Sequence, residues 1–204
     1  MAELGILLLA FLAGSIPFSN LVARRTRGVD LRDTEYESVS GTALYRVAGF
    51  GALVVSGICD VAKGAFGPLL AGTDRPVLAA LAGGAAVVGH NWSPFLRGLG
   101  GRGVGPALGA LLVTAWPGVV VLLAPMLIGR AVRETGLGGF VGEAALTPVL
   151  AVTNGSSGAV AGAAIAVPML LKRVVGNRRP TTPGWRSYAC RLFLDRDPET
   201  PAAS

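Results

Sequence analysis

Seven runs without a single charged residue dominate this 204-residue chain: 4–23, 47–59, 64–73, 76–96, 103–129, 135–142 and 144–171, together 127 residues. A helix needs ~20 apolar residues to cross the hydrocarbon core of a bilayer, and several runs reach that length. Charged residues make up only 15% of the chain, against roughly 25% in soluble domains. Mean hydropathy is +0.58. These values exclude a disordered chain and argue against an ordinary soluble domain. The pattern predicts an all-α, polytopic membrane bundle of about five to seven helices.

Residues 4–23 are read as the first membrane helix rather than a secretory signal, because the segment before them carries Glu3 and no Lys or Arg. Further helices are expected over 47–72, with Asp60 and Lys63 inside, and over 77–95. Two more should cover 137–153 and 157–171, joined by the turn signal Asn154-Gly155-Ser156-Ser157-Gly158. Segments 24–46, 97–102, 130–133 and 172–204 hold 16 of the 18 cations. The positive-inside rule places all four in the cytoplasm of a multi-pass plasma-membrane protein, with the N-terminus outside and the C-terminus inside. Block 103–129 then enters and leaves on one side. Its 27 residues give only ~40 Å of helix, which predicts a re-entrant or half-helix hairpin broken at Trp116-Pro117. The organisation expected is one membrane domain over 1–179 and a basic cytoplasmic tail over 180–204.

The high pI, about 10.1, follows from these short basic loops and does not point to nucleic acid. Cys59 and Cys190 lie too far apart in sequence and setting for a disulfide framework. One histidine leaves no His-rich metal site, and neither metal nor cofactor is expected.

Polar residues gather on the basic side. Ser15, within Gly14-Ser15-Ile16-Pro17-Phe18, reads either as a site residue or as a serine bonded back to a proline-kinked helix. Asp60 and Lys63, three apart on one helix face, read as an ion pair, structural or functional. The densest signal is Gly89-His90-Asn91-Trp92-Ser93 followed by Gly98-Leu99-Gly100-Gly101-Arg102-Gly103. Glycines let backbone N–H groups approach a ligand, arginine offers a forked donor to phosphate, and a helix start follows at once. That combination describes an anion cradle.

In these motifs the chain resembles the PlsY family, integral membrane enzymes that move an acyl group from acyl phosphate to the 1-hydroxyl of glycerol 3-phosphate, giving lysophosphatidate for phospholipid synthesis. The resemblance runs from Gly14 to about Arg179. It rests on Gly14-Ser15-Ile16-Pro17-Phe18, on Tyr45-Arg46-Val47 with Gly49, on Asp60-Val61-Ala62-Lys63-Gly64, and above all on Gly89-His90-Asn91-Trp92 with Phe95 and Gly100-Gly101-Arg102-Gly103-Val104. It implies His90, Asn91 and Arg102 as catalytic residues. Arg46, Thr42, Gly100, Gly101, Gly103 and Asn177 are implied as phosphate ligands, supported by Ser15, Asp60, Lys63, Arg133 and Arg173. The implied partners are acyl phosphate, glycerol 3-phosphate or a related acceptor, and the bilayer.

The departures are specific. The family's first loop reads EYESVSGTA over 35–43, with Glu35 and Glu37 where small residues belong. The family's Gly-Gly-Lys-Gly has Arg102 for its lysine. Its Arg-Tyr-x-Ser ends here in Gly136, and its Arg-His-x-x-Asn reads Arg173-Val174-Val175-Gly176-Asn177, with valine for the catalytic histidine. The alternatives are therefore a catalytically impaired paralogue that binds a phosphorylated lipid precursor or partner without turnover, and an acyltransferase with another acceptor. Because 136 and 174 lie just outside apolar blocks, restored polar side chains at both are expected to be tolerated.

Overall fold

A computed structural model describes residues 1–34, 39–180 and 183–198. Every regular element in them is helical: α1 (Ala2–Ser15), α2 (Phe18–Arg27), α3 (Gly41–Ala71), α4 (Pro76–Asn91), α5 (Val104–Thr114), α6 (Pro117–Ala131), α7 (Thr135–Val175) and α8 (Trp185–Leu194), with short 3-10 turns at Leu31–Asp33 and Pro94–Leu96. Glu35 and Glu37 lie outside the described residues.

Two ends of the bundle can be told apart by their contacts. One gathers Gly72, Thr73, Pro76, Thr114 and Ser157. The other gathers Ser15, Lys63, His90 and Gly101, and beside them Arg102, Asn177 and Asp195. α1, α3, α4, α5 and α6 each run from one end to the other. Large apolar side chains, among them Leu8, Phe50, Ile58, Leu69, Leu112, Leu127 and Val152, are exposed around the bundle. Such a belt is unfavourable in water and appropriate where lipid is the solvent.

α7 is formally continuous over 41 residues, yet it is two antiparallel arms. A straight helix would hold residues 136 and 173 about 55 Å apart. Instead, Arg173 Nη1 donates to the Gly136 carbonyl at 3.0 Å, and its Nε donates to Glu143 Oε2 at 2.8 Å. The chain reverses at Gly155, whose φ of 66° and ψ of −150° only glycine adopts readily. Spans 137–153 and 157–171, expected from the turn signal, are the two arms.

The short block behaves in the same way. α5 has 11 residues and α6 has 15, with Pro117 at the first turn of α6. Gly118 packs on Leu111 and Leu150, whereas Gly129 packs against Glu134 and Gly138, so α6 returns to the end that α5 left. Each helix is shorter than a full span, and the hairpin is sheltered on both sides by α3, α4 and α7. Close approach needs small residues here. A methyl at Gly64 would strike the Pro106 backbone and one at Gly109 the Val61 carbonyl, which fixes the α3–α5 contact.

The first helix also departs from one uninterrupted span. Pro17 separates α1 from α2, and Ser15 Oγ donates back to the Phe11 carbonyl at 2.7 Å. α2 then turns aside with its cations Arg24, Arg25 and Arg27 in its last turn, where the negative end of the helix favours them.

Candidate active site

Two polar clusters lie side by side at the basic end. The first is built on α3 and α4. Lys63 Nζ lies 2.8 Å from Asp60 Oδ1 and donates to the Ile16 carbonyl at 2.7 Å, which ties α3 to the break between α1 and α2. Asp60 and Lys63 are both buried. His90 Nδ1 stands 3.8 Å from Asp60 Oδ1. Lys63 and His90, with Ser15, Phe18, Ser93 and Gly101, line a narrow cleft. Ser93 Oγ donates to the Ser15 carbonyl at 2.6 Å, tying the α4–α5 loop to the end of α1.

That loop is held by its own glycines. A methyl at Gly101 would overlap His90 Nε2, and one at Gly100 would overlap the His90 carbonyl. Gly101 N–H in fact donates to the His90 carbonyl at 3.2 Å. Gly103 adopts φ 80° as the cap of α5 and leaves no room between Asn91 and Val87. The loop folds tightly over His90 because these side chains are absent.

The second cluster joins the loop to α7 and α8. Asn177 forms a reciprocal pair with Gly100: Gly100 N–H donates to Asn177 Oδ1 at 3.2 Å, and Asn177 Nδ2 donates to the Gly100 carbonyl at 2.9 Å. Lys172 Nζ donates to the same Asn177 oxygen at 2.7 Å and lies 5.3 Å above the Trp92 ring. Arg102 Nη1 donates to the Lys172 carbonyl at 2.9 Å, and Arg102 Nη2 lies 2.8 Å from Asp195 Oδ1. Arg191 forms a two-pronged pair with Asp197 at 2.6 and 2.8 Å. This guanidinium holds the Asp197 carboxyl below its ordinary range.

The residues expected from sequence separate accordingly. Ser15, Asp60, Lys63, His90 and Gly101 meet in the first cluster; Gly100, Arg102 and Asn177 meet in the second, with Gly103 between them. Asn91 is fully buried, donates to the Pro168 carbonyl at 3.0 Å, and ties α4 to α7 behind the loop. Arg173 is buried on Glu143 and braces the α7 hairpin. Arg133 lies exposed in the α6–α7 connection with φ 62°. Thr42 and Arg46 are exposed on the first turns of α3, just beyond Val39, which lines the first cleft.

One expectation needs correction. Position 136 does not accept a polar side chain, because a Cβ there would overlap the Leu194 carbonyl of α8. In the described part of the tail, α8 docks on α7 through an edge-to-face contact of Phe193 with Phe140 at 4.7 Å. Sequence reasoning also missed Lys172, Glu143, Asp195 and Asp197. Glu143 had a legible signal: it is the one charge separating uncharged runs 135–142 and 144–171, and the turn at 155 sets it opposite Arg173.

The chain matches the family model described as glycerol-3-phosphate acyltransferase over residues 4–179. It is 35% identical over 176 residues to a glycerol-3-phosphate acyltransferase of Synechococcus sp. (strain CC9902), covering 85% of this chain and 88% of that protein. A Roseiflexus sp. (strain RS-1) protein of the same name is 36% identical over 201 residues, covering 96% of this chain and 89% of the other. The fold is similar to crystal structures of PlsY, an integral membrane glycerol 3-phosphate acyltransferase. The glycerol 3-phosphate form gives a TM-score of 0.75 at 23% identity, covering 88% of this chain and 95% of that one. The lysophosphatidic acid form gives 0.69 at 24%, with the same coverage.

Proposed function

This chain belongs to the glycerol-3-phosphate acyltransferase family, and from that premise we propose that it transfers an acyl group from acyl phosphate to the 1-hydroxyl of glycerol 3-phosphate at the cytoplasmic face of the plasma membrane. One observation carries the reading. The glycine loop 98–103 is folded against a basic cluster in which Arg102, Lys172 and Asn177 converge, next to a cleft lined by His90 and by Lys63, which pairs with Asp60.

In this reaction the acceptor hydroxyl oxygen bonds to the acyl carbon and the bond from that carbon to the phosphate oxygen breaks. The hydroxyl proton leaves on phosphate. Fixed cations and loop N–H groups orient the two phosphorylated reactants and stabilise charge as the mixed anhydride opens. Val174 and Gly136 supply no proton acceptor, which leaves the task to substrate phosphate, to water or to His90. General-base help is worth ~10²–10⁴-fold, so the reading describes a slow enzyme.

The test is direct. Purified protein in detergent, given acyl phosphate and glycerol 3-phosphate, is expected to form lysophosphatidate. Arg102→Ala should lower that rate and weaken glycerol 3-phosphate binding roughly tenfold or more, since a charge-assisted bond is worth ~1.5–3 kcal/mol. The engagement of Arg102 by Asp195 favours one second reading, a binding paralogue without turnover. Phosphate-ligand binding with no product formed would select it.

A further inference from the structure

We propose that Asp195 is a tethered competitor for the phosphate seat on Arg102, so that an anionic substrate binds by displacing a carboxylate of the chain's own tail. The proposal rests on the reading that Arg102 receives phosphate.

Each terminal nitrogen of Arg102 faces a different internal partner. Nη1 is spent on the Lys172 carbonyl, and Nη2 faces Asp195 Oδ1 at 2.8 Å. That carboxylate oxygen is buried and has no aligned hydrogen-bond donor among the described residues. The contact is thus ionic and off the bonding line, weaker than the aligned bonds a phosphate can accept from the same fork.

The surroundings explain why the carboxylate sits there. Arg173 is neutralised by Glu143 and Arg191 by Asp197. Asp195 does the same for Arg102. A phosphate dianion arriving with this carboxylate in place meets a like charge beside the cation it seeks, so the two anions exclude each other.

The tail presents Asp195 without needing to leave. Phe193 docks on Phe140, the Leu194 carbonyl rests on Gly136, and Arg191 Nη1 donates to the Arg178 carbonyl at 2.9 Å. Asp195 follows at φ 55° and ψ 33°, ending α8. Anchored in this way, the carboxylate has the high effective concentration of an intramolecular ligand, and rotation of one side chain frees Arg102. Gly136 is what lets the Leu194 backbone approach, so the loss of the family serine and the gain of the competitor belong to one arrangement.

The experiment titrates the full chain in detergent with glycerol 3-phosphate, and separately with inorganic phosphate, by calorimetry. Asp195→Asn is expected to bind both about tenfold more tightly than the parent, Asp195→Glu to bind like the parent, and Arg102→Ala with Asp195→Asn to lose the gain. Should the asparagine variant not fold, Asp195→Gly, which suits the left-handed backbone, gives the same comparison. Unchanged or weaker binding by the Asp195 variants, with Arg102→Ala still weakening it, overturns the competitor and leaves the phosphate site standing. If Arg102→Ala has no effect in either background, the phosphate site itself fails and the competitor falls with it.

Discussion

At position 136 a single missing side chain decides how the C-terminal segment meets the membrane helices. The Leu194 carbonyl occupies the space where a Cβ would stand, so Gly136→Ser must push α8 off its seat or strain the start of α7. Overpacking of this kind costs about 1–3 kcal/mol. The expected outcome is a lower unfolding midpoint in detergent, whereas Gly184→Ser, with nothing within 4 Å of its Cβ, should leave the midpoint unchanged. The same residue shows what was legible beforehand. The loop from Gly89 to Gly103 announced itself through His, Asn, Arg and glycines packed into 15 positions, and its fold over His90 follows from them. Asp195 and Lys172 carried no such mark, because an acid in a charged tail looks solvated until the backbone it lands on is known. Arg173 was read as a support without its partner, since pairing across a hairpin is not a spacing that local periodicity reports.

Elements of this protein are set by where the chain is forced to turn. Asn154-Gly155-Ser156-Ser157-Gly158 was readable as a turn, and Trp116-Pro117 as a break, because proline and glycine act locally. A kink at Ile16-Pro17 was readable too; the full stop there and the sideways course of α2 were not, since that course depends on Asn20, whose Oδ1 accepts the Leu31 N–H at 2.7 Å. Two predictions belong to the α7 hairpin. Gly155→Ala should cost about 1–3 kcal/mol through backbone strain alone, because nothing crowds its Cβ, while Gly57→Ala, equally open, inside α3 and without a positive φ, should cost nothing or stabilise slightly. Chemical denaturation of the two variants in detergent checks the difference. Glu143→Ala leaves the Arg173 guanidinium buried between the arms without its carboxylate, and breaking such a pair costs about 3–5 kcal/mol. A variant with both arms still docked at parental stability would show that the pair contributes nothing to holding the hairpin.

For the whole molecule, contacts between distant segments and the distribution of charge give one topology. The loops at Arg27, Ala131 and Gly184 lie at the basic end, and Asp74 and Gly155 lie at the other, so the chain makes seven passes: α1, α3, α4, α5, α6 and the two arms of α7. An odd number of passes would put the two termini on opposite sides, and the positive-inside rule predicts that the end holding 17 of the 18 cations, all but Arg75, faces the cytoplasm. The critical element is the α5–α6 hairpin, because its two helices are too short for ordinary spans. In a background with Cys59 and Cys190 replaced by serine, single cysteines at Arg27, Ala131, Gly184, Asp74 and Ser156 are to be treated in intact cells with a membrane-impermeant thiol reagent. Labelling is expected at 74 and 156 alone, with 27, 131 and 184 reacting only after permeabilisation. Reaction at 131 in intact cells would place the α6–α7 connection outside. It would then separate Arg133 and Gly136 from the cluster that Arg173 and α8 reach, which the hydrogen bond from Arg173 to the Gly136 carbonyl does not allow.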